Sequence, residues 1–231
     1  KMRLQTLGVI IRAGQNLWKD NEFDISWKAS KEAGLLRGSY WFYDKRVDPK
    51  KQAELWVSAL GNDLGELPIC CVFEDDYWGA FGGWMDWFDF IERIKQLVPQ
   101  KAIGVYTGYY YWLENTIASS TGISNASLNY FKQYPLWIAA YNNFEPTVPK
   151  PWTDWTLWQF TDNGDGKPYG VESKNIDLNY FNGSEVEFYE FFGLTSPQPA
   201  PNQDHDLERE LIEVKANYQN NEVLYKELKN V

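Results

Sequence analysis

Histidine, cysteine and clustered positive charge are scarce in this chain of 231 residues. Its one histidine, His205, lies in a polar segment, which argues against a Ser-His-Asp or Cys-His enzyme and against a histidine-rich metal site. The two cysteines, Cys70 and Cys71, are neighbours in an apolar run, a spacing that suits neither zinc binding nor a disulfide. We interpret them as small buried hydrophobic residues. Any proton chemistry is therefore expected to use carboxylates, with no metal or cofactor.

Basic runs and long apolar runs are also missing. The formal net charge is −10, so an electrostatic footprint for nucleic acid is absent. Repulsion from polyanionic surfaces means that affinity for a cell wall has to come from a specific cleft. No signal peptide or membrane span is recognisable. The chain opens with "KMRLQTLGVIIRAGQ" and lacks an initiating Met, so we expect it to begin inside a longer gene product.

Aromatic residues, in contrast, are abundant at 17%, with 12 Trp and 15 Tyr. This exceeds the need of a core, and aromatic faces in clefts stack on ring-shaped ligands such as sugars. The alternative for most of these rings is simple core packing.

Short apolar runs alternate with helical patterns along the chain. The pattern predicts strands at 7–14, 36–44, 68–74, 102–108, 135–141, 155–162 and 175–183, and helices at 23–35, 48–61, 84–98 and 124–133. Apolar strands that alternate with helices favour a parallel sheet covered on both faces, and the helices are expected to stop after residue 141. The predicted fold class is α/β, a modified TIM-like barrel of βα units followed by β-only strands. Catalytic groups in such folds lie at the carboxyl ends of the strands.

The last part of the chain differs in composition from residues 1–193. Residues 194–203 form a linker with three prolines. Residues 204–231 predict one helix with a heptad seam that carries Asn at a core position. This C-terminal helix either forms a coiled coil between copies or docks elsewhere.

Several motifs in order carry a family resemblance. They are "GVIIRAGQ", "AGLLRGSYWFY", "QAELWVSAL", "LPICCVFED", "IGVYTGYYYW", "YPLWIAAYN", "WTLWQFTD" and "GVESKNIDLNYFNG". Over residues 4–183 the chain resembles the glycoside hydrolase family 25 lysozymes, the muramidases of phages, bacteria and fungi, including phage endolysins. The resemblance implies a barrel of five βα units and three further strands. It also implies hydrolysis of the β-1,4 bond from N-acetylmuramic acid to N-acetylglucosamine in peptidoglycan, at the bacterial cell wall.

The resemblance assigns the catalytic acid to Glu74. The family carries an Asp-x-Glu pair at the end of this strand, and the Asp falls on Val72. Family members are thought to use the acetamido group of the substrate as nucleophile, oriented by that Asp. With Val72 in its place, another residue must orient the group or activity is weakened. Asp76 is a possible substitute, and Asp177 matches a late cleft Asp of the family, with a turn or cap role as its alternative.

Further residues match positions that line the saccharide groove of the family, with core packing as the alternative. They are Arg12, Tyr43, Tyr106, Tyr141, Trp158 and Gln159. The family also opens with a strand ending Asp-x-Ser, which is expected to precede Lys1. Its absence would leave two sheet edges, so we expect a longer protein or another piece of chain in the gap.

Three hypotheses follow. The first is an active muramidase with Glu74 as acid, Asp177 as electrostatic support and the tail helix as an attachment to other copies or to a larger assembly. The second is a non-enzymatic glycan-binding or structural member of the same fold, favoured by Val72. The third is another carboxylate glycosidase such as a chitinase, although its clustered acid motif is not present.

Overall fold

The computed structural model describes residues 6–74, 83–116, 123–142, 144–171 and 173–196. The chain divides into two compact units, Lys1–Leu194 and Thr195–Val231. Asp76, the predicted helix 204–231 and most of the predicted linker lie outside the described residues.

The described elements follow the alternation that the sequence predicts. The strands are β1 (Gly8–Gln15), β2 (Trp18–Lys19), β3 (Leu36–Phe42), β4 (Ile69–Phe73), β5 (Ile103–Gly108), β6 (Leu136–Ala139), β7 (Leu157–Gly164) and β8 (Ile176–Phe181). The α-helices are α1 (Phe23–Glu32), α2 (Pro49–Leu60), α3 (Trp84–Leu97), α4 (Tyr109–Thr116), α5 (Asn125–Asn129) and α6 (Glu185–Phe191). Two 3-10 helices cover Tyr130–Gln133 and Lys167–Tyr169.

Within the described residues the strands form one curled eight-stranded sheet, in the order β2-β1-β3-β4-β5-β6-β7-β8. Strand β1 and strands β3 to β7 run parallel to one another. The short strand β2 pairs antiparallel with β1 at one end of the sheet, and β8 pairs antiparallel with β7 at the other end. The α/β fold class predicted from the sequence is confirmed. Parallel neighbours place the carboxyl ends of β1 and β3–β7 at one rim of the sheet.

The central strand β4 shows how the sheet is covered. All five of its residues are buried, as expected for a parallel strand packed on both faces. Cys71 and Phe73 belong to the outer core, which lies between the sheet and the helices. Cys70 and Val72 belong to the inner cluster on the concave face, together with Tyr106 and Trp137. Both thiols are free and buried, which confirms their interpretation as buried hydrophobic residues.

Helix α2 begins and ends where its sequence signals predict. The Asp48 carboxylate accepts the backbone N–H groups of Lys50 and Lys51, and Pro49 occupies the first turn. Gly61 ends the helix with a φ of 59°, a left-handed value that favours glycine.

The prediction that helices stop after residue 141 is wrong, because α6 follows β8. Ser184 caps α6 by accepting the backbone N–H of Glu187, whose carboxylate accepts the N–H of Ser184 in return. Its side chains Phe188 and Tyr189 pack against Leu67 beneath the sheet.

The sheet is open within the described part of the chain. Strand β1 pairs with β3 on one side and with β2 on the other only at Gly14 and Gln15, while β8 pairs with β7. A cavity of about 480 Å³ on the concave face is lined by residues of both β1 and β8. Among the described residues, β1 and β8 therefore border a shared, largely apolar space.

Candidate active site

Glu74 follows directly after β4, at the rim of the sheet. Strand alternation places it on the same concave side as Val72, two residues earlier. Burial, aided by the nearby charge of Asp177, raises the pKa of the Glu74 carboxyl to about 7, although the Tyr106 hydroxyl acts in the opposite direction. Glu74 therefore retains its proton far more readily than an ordinary glutamate, as a general acid at neutral pH requires.

Two tyrosines and one glutamine meet beside Glu74. Tyr106 on β5 donates its hydroxyl proton to Oε1 of Gln159 on β7, at 2.6 Å. The Tyr141 hydroxyl, just beyond β6, donates to the same oxygen at 3.2 Å. Tyr106 and Gln159 are buried, whereas the Tyr141 ring is 54% exposed and is open to a ligand. The structure thus brings together three of the residues predicted to line the groove.

Asp177 on β8 completes this group from the far side of the sheet. Its side chain is exposed at the cavity. Partial burial and the charge of Asp162 raise the pKa of the Asp177 carboxyl, and the nearby Gln159 side chain acts in the opposite direction. Asp177 is therefore close enough for its charge to contribute to the raised pKa of Glu74.

Tyr40 is a neighbour of this group that the sequence analysis did not predict. It lies on the concave face of β3, between Arg12 on β1 and Cys70 on β4 in the sheet register. Burial raises the pKa of its hydroxyl to about 12, and the charges of Glu74 and Asp177 contribute to this rise. Side chains on a strand alternate between its two faces, so counting every second residue back from the end of the predicted strand 36–44 could have indicated Tyr40.

Arg12, predicted as a groove residue, pairs with Tyr40 in the sheet register, three residues before the end of β1. Its guanidinium forms an ion pair with Asp20 at 2.7 Å and lies over the Trp18 ring at 5.7 Å. The side chain is exposed and provides a positive charge on the same side as the two carboxyl groups.

The predicted groove role of Tyr43 is wrong. Its side chain is 1% exposed in the outer core, where its ring packs against Phe73 and Phe90. Trp158 is a second correction, because it packs on the helix-facing side and donates its indole N–H to the carbonyl of Ala140 at 2.8 Å. Both residues have the wrong strand parity for the concave face.

The described ranges contain no group of three or more His, Cys, Asp or Glu side chains that could hold a metal ion. The same residues include no helix long and apolar enough to cross a membrane.

Residues 4–167 match the sequence profile of the family described as "Glycosyl hydrolases family 25". The chain belongs to this family. Two solved structures of similar fold are a muramidase from Trichobolus zukalii and a bacterial lysozyme from Streptomyces coelicolor. The muramidase is 26% identical with a TM-score of 0.63, and the match covers 80% of this chain and 87% of the muramidase chain. The lysozyme is 25% identical with a TM-score of 0.63, and the match covers 80% of this chain and 85% of the lysozyme chain.

Two curated family relatives are longer than this chain. The YegX protein of Escherichia coli strain K12 is 27% identical over 196 residues, which are 82% of this chain and 64% of YegX. Lysozyme M1 of Streptomyces globisporus is 29% identical over 181 residues, 72% of this chain and 56% of the lysozyme. The chain thus spans between half and two thirds of the length of these relatives.

Proposed function

We propose that this chain is a peptidoglycan hydrolase that cleaves the β-1,4 bond between N-acetylmuramic acid and N-acetylglucosamine, with Glu74 as general acid. The observation that carries the proposal is a rim carboxyl whose pKa is raised to about 7 by burial. Membership in the family and the muramidase and lysozyme named among the similar proteins support it.

In the proposed reaction, protonated Glu74 gives its proton to the glycosidic oxygen as the bond to the anomeric carbon breaks. Positive charge develops at the anomeric carbon, and the ionised Asp177 stabilises it electrostatically. Val72 provides no carboxylate on β4, so the acetamido oxygen of the substrate attacks without an aspartate partner from that position. Water then opens the resulting ring, with the Glu74 carboxylate accepting its proton.

Binding of the sugar chain is assigned to the concave rim. The exposed Tyr141 ring offers an aromatic face, and the Arg12 guanidinium offers hydrogen-bond donors to hydroxyl or carboxylate oxygens. The proposed place of action is the bacterial cell wall, reached from outside the cell, from a virion or after release from an infected host. Self-association or assembly through residues 204–231 remains a prediction.

The proposal is tested with purified chain and Gram-positive cell walls, following turbidity and new reducing ends. We expect Glu74→Gln to lower the rate by about 10²–10⁴-fold, because the variant has no proton to give. The parental rate is expected to fall as the pH rises through about 7, where Glu74 loses its proton. Glu114→Gln, at an exposed position on α4, serves as the matched control and retains the parental rate.

Binding without hydrolysis is the second candidate, and Val72 favours it. If the parent binds walls but releases no reducing ends, the glycan-binding alternative replaces the muramidase proposal. If Glu74→Gln releases reducing ends at the parental rate, the assignment of the acid is wrong while the activity stands.

A further inference from the structure

The hairpin of β1 and β2 carries Trp18 on the concave side of the sheet, at its rim. Gln15, the last residue of β1, pairs with Phe42 of β3 on one side and with Trp18 on the other. Phe42 packs against the concave cluster, and directly paired residues lie on the same face of a sheet. The next residue, Lys19, lies on the opposite face, where its Nζ is 5.7 Å from the Phe23 ring of the outer core. Both neighbours therefore place the Trp18 side chain on the concave face.

The Trp18 ring is open to a ligand and has a guanidinium beside it. The residue is 44% exposed, and Cζ of Arg12 lies 5.7 Å from the centre of its ring. Arg12 pairs in register with Tyr40 of the concave face, so Arg12 and Trp18 share that face. The Asp20 carboxylate accepts the Nε–H of Arg12 at 2.7 Å, which takes one of the five N–H donors of the guanidinium. An aromatic surface and hydrogen-bond donors thus lie side by side.

The tip of this hairpin is fastened to the loop after β3. Asn16 has a φ of 51°, a left-handed value that Asn adopts more readily than most residues. Its amide nitrogen donates to Oδ2 of Asp44 at 2.6 Å, and its Oδ1 accepts the N–H of Leu17 at 2.6 Å. Asp44 is 1% exposed and also forms an ion pair with Arg46 at 2.6 Å. Trp18 is therefore held in position in advance, which lowers the entropic cost of binding a ligand.

The charges around Trp18 favour an uncharged ligand over a polyanion. Arg12 pairs with Asp20 at 2.7 Å, and Lys19 pairs with Asp24 at 2.6 Å, so both cations of the hairpin are balanced. The whole chain carries a formal charge of −10, which repels polyanions. An exposed indole between balanced charges suits an uncharged ring-shaped ligand, and N-acetylated sugars have this character.

We propose that Trp18 and Arg12 form an outlying saccharide-binding site, where an N-acetylhexosamine ring stacks on the indole and its oxygen atoms accept guanidinium N–H groups. In the sheet order, three strand spacings of about 4.8 Å separate β2 from β4, so the site lies about 14 Å from the strand that leads to Glu74. The site therefore holds a sugar beyond the two that flank the scissile bond. This inference rests on the proposed function, for which it names a contact that retains the glycan chain.

The binding test is calorimetric titration with a hexasaccharide of alternating N-acetylglucosamine and N-acetylmuramic acid. The full chain carries Glu74→Gln throughout, so the ligand is not consumed. We expect Trp18→Ala to raise Kd about tenfold, since the aromatic contact is lost, and Trp18→Phe to raise it less than about threefold, since a ring remains. Leu17→Ala is the matched control, because it removes a neighbouring apolar side chain that is 48% exposed, and it leaves Kd unchanged.

The anchoring of the hairpin is tested by Asn16→Gly in the same background. Glycine keeps the left-handed backbone and removes the bond to Asp44, so we expect Kd to rise about threefold. A measurement without any loss of packing supports the assignment. The indole N–H signal of Trp18, identified in the NMR spectrum by its absence from Trp18→Phe, is expected to shift as the hexasaccharide is added.

Kinetics locate the site relative to the reacting bond. With Glu74 intact, we expect Trp18→Ala to raise KM for the hexasaccharide about tenfold and to leave kcat unchanged, because an outlying contact is equal in ground and transition states. A fall in kcat at constant KM would place Trp18 at the reacting bond and overturn the outlying position.

An unchanged Kd in Trp18→Ala, an equal loss in Leu17→Ala or an indole signal that does not move overturns the saccharide site. The titration needs no turnover, so its outcome is separate from that of the wall assay. A parent that releases no reducing ends overturns the proposed function, whereas the titration decides the role of Trp18.

Discussion

The hydroxyl of Tyr43 lies in the outer core without a hydrogen-bond partner among the described residues. Burial raises its pKa well above the ordinary value, so it stays neutral. Removing an unpaired buried hydroxyl eliminates a desolvation cost, and we expect Tyr43→Phe to leave stability unchanged or to raise it by up to about 1 kcal/mol. Urea denaturation measures this. Tyr130→Phe is the control, because its hydroxyl bonds Glu92 and Tyr134 and its loss is expected to cost about 1 kcal/mol.

The same substitution tests whether Tyr43 has a packing role or a ligand-binding role. We expect the Tyr43→Phe variant to release reducing ends from cell walls at the parental rate, since the ring lies on the helix-facing side of the sheet. A marked loss of activity with unchanged stability would show that Tyr43 contributes to the saccharide groove.

Helix α2 is the element whose start is most clearly encoded. We expect Asp48→Ala to lower the free energy of unfolding by about 1 kcal/mol, because the N–H groups of Lys50 and Lys51 lose their acceptor. Asp48→Asn keeps an acceptor oxygen at this position and is expected to cost much less. Chemical denaturation compares the three proteins, and equal loss in both variants would show that the carboxylate charge matters more than the cap.

Elements with strong local signals were predictable from the sequence, but the face of the sheet on which each side chain lies was not. The apolar run before Glu74 and the Asp48–Gly61 signals gave β4 and α2 close to their observed bounds. Strand β3 is covered on both faces, so its sequence has no polar-apolar alternation to show which face is concave. The match to a family position therefore stood alone in placing Tyr43 in the groove, and it is Tyr40 that lies on the concave face. Helix α6 was missed because seven residues hold too little periodicity to stand out from a strand-rich segment.

Net charge is the property of the whole molecule that should govern its encounter with a polyanionic wall. The chain carries a formal charge of −10. We expect reducing-end release to rise between 10 and 150 mM salt, as the screening length shortens from about 30 Å to about 8 Å. Walls stripped of their anionic polymers are the control and should show a weaker dependence. A rate that falls with added salt would indicate that local positive charge, such as that of Arg12, dominates the approach.

The neighbouring thiols of β4 have a consequence for chemical labelling. Cys70 lines the concave cavity, and Cys71 lies in the outer core beneath the helices. Burial raises the pKa of Cys70 to about 12 and raises that of Cys71 as well, so neither is a reactive thiolate in the closed molecule. A thiol reagent therefore modifies Cys70 when the concave side opens and Cys71 when the helices lift from the sheet. The modification rates of these two adjacent cysteines therefore report separately on the opening of the two layers.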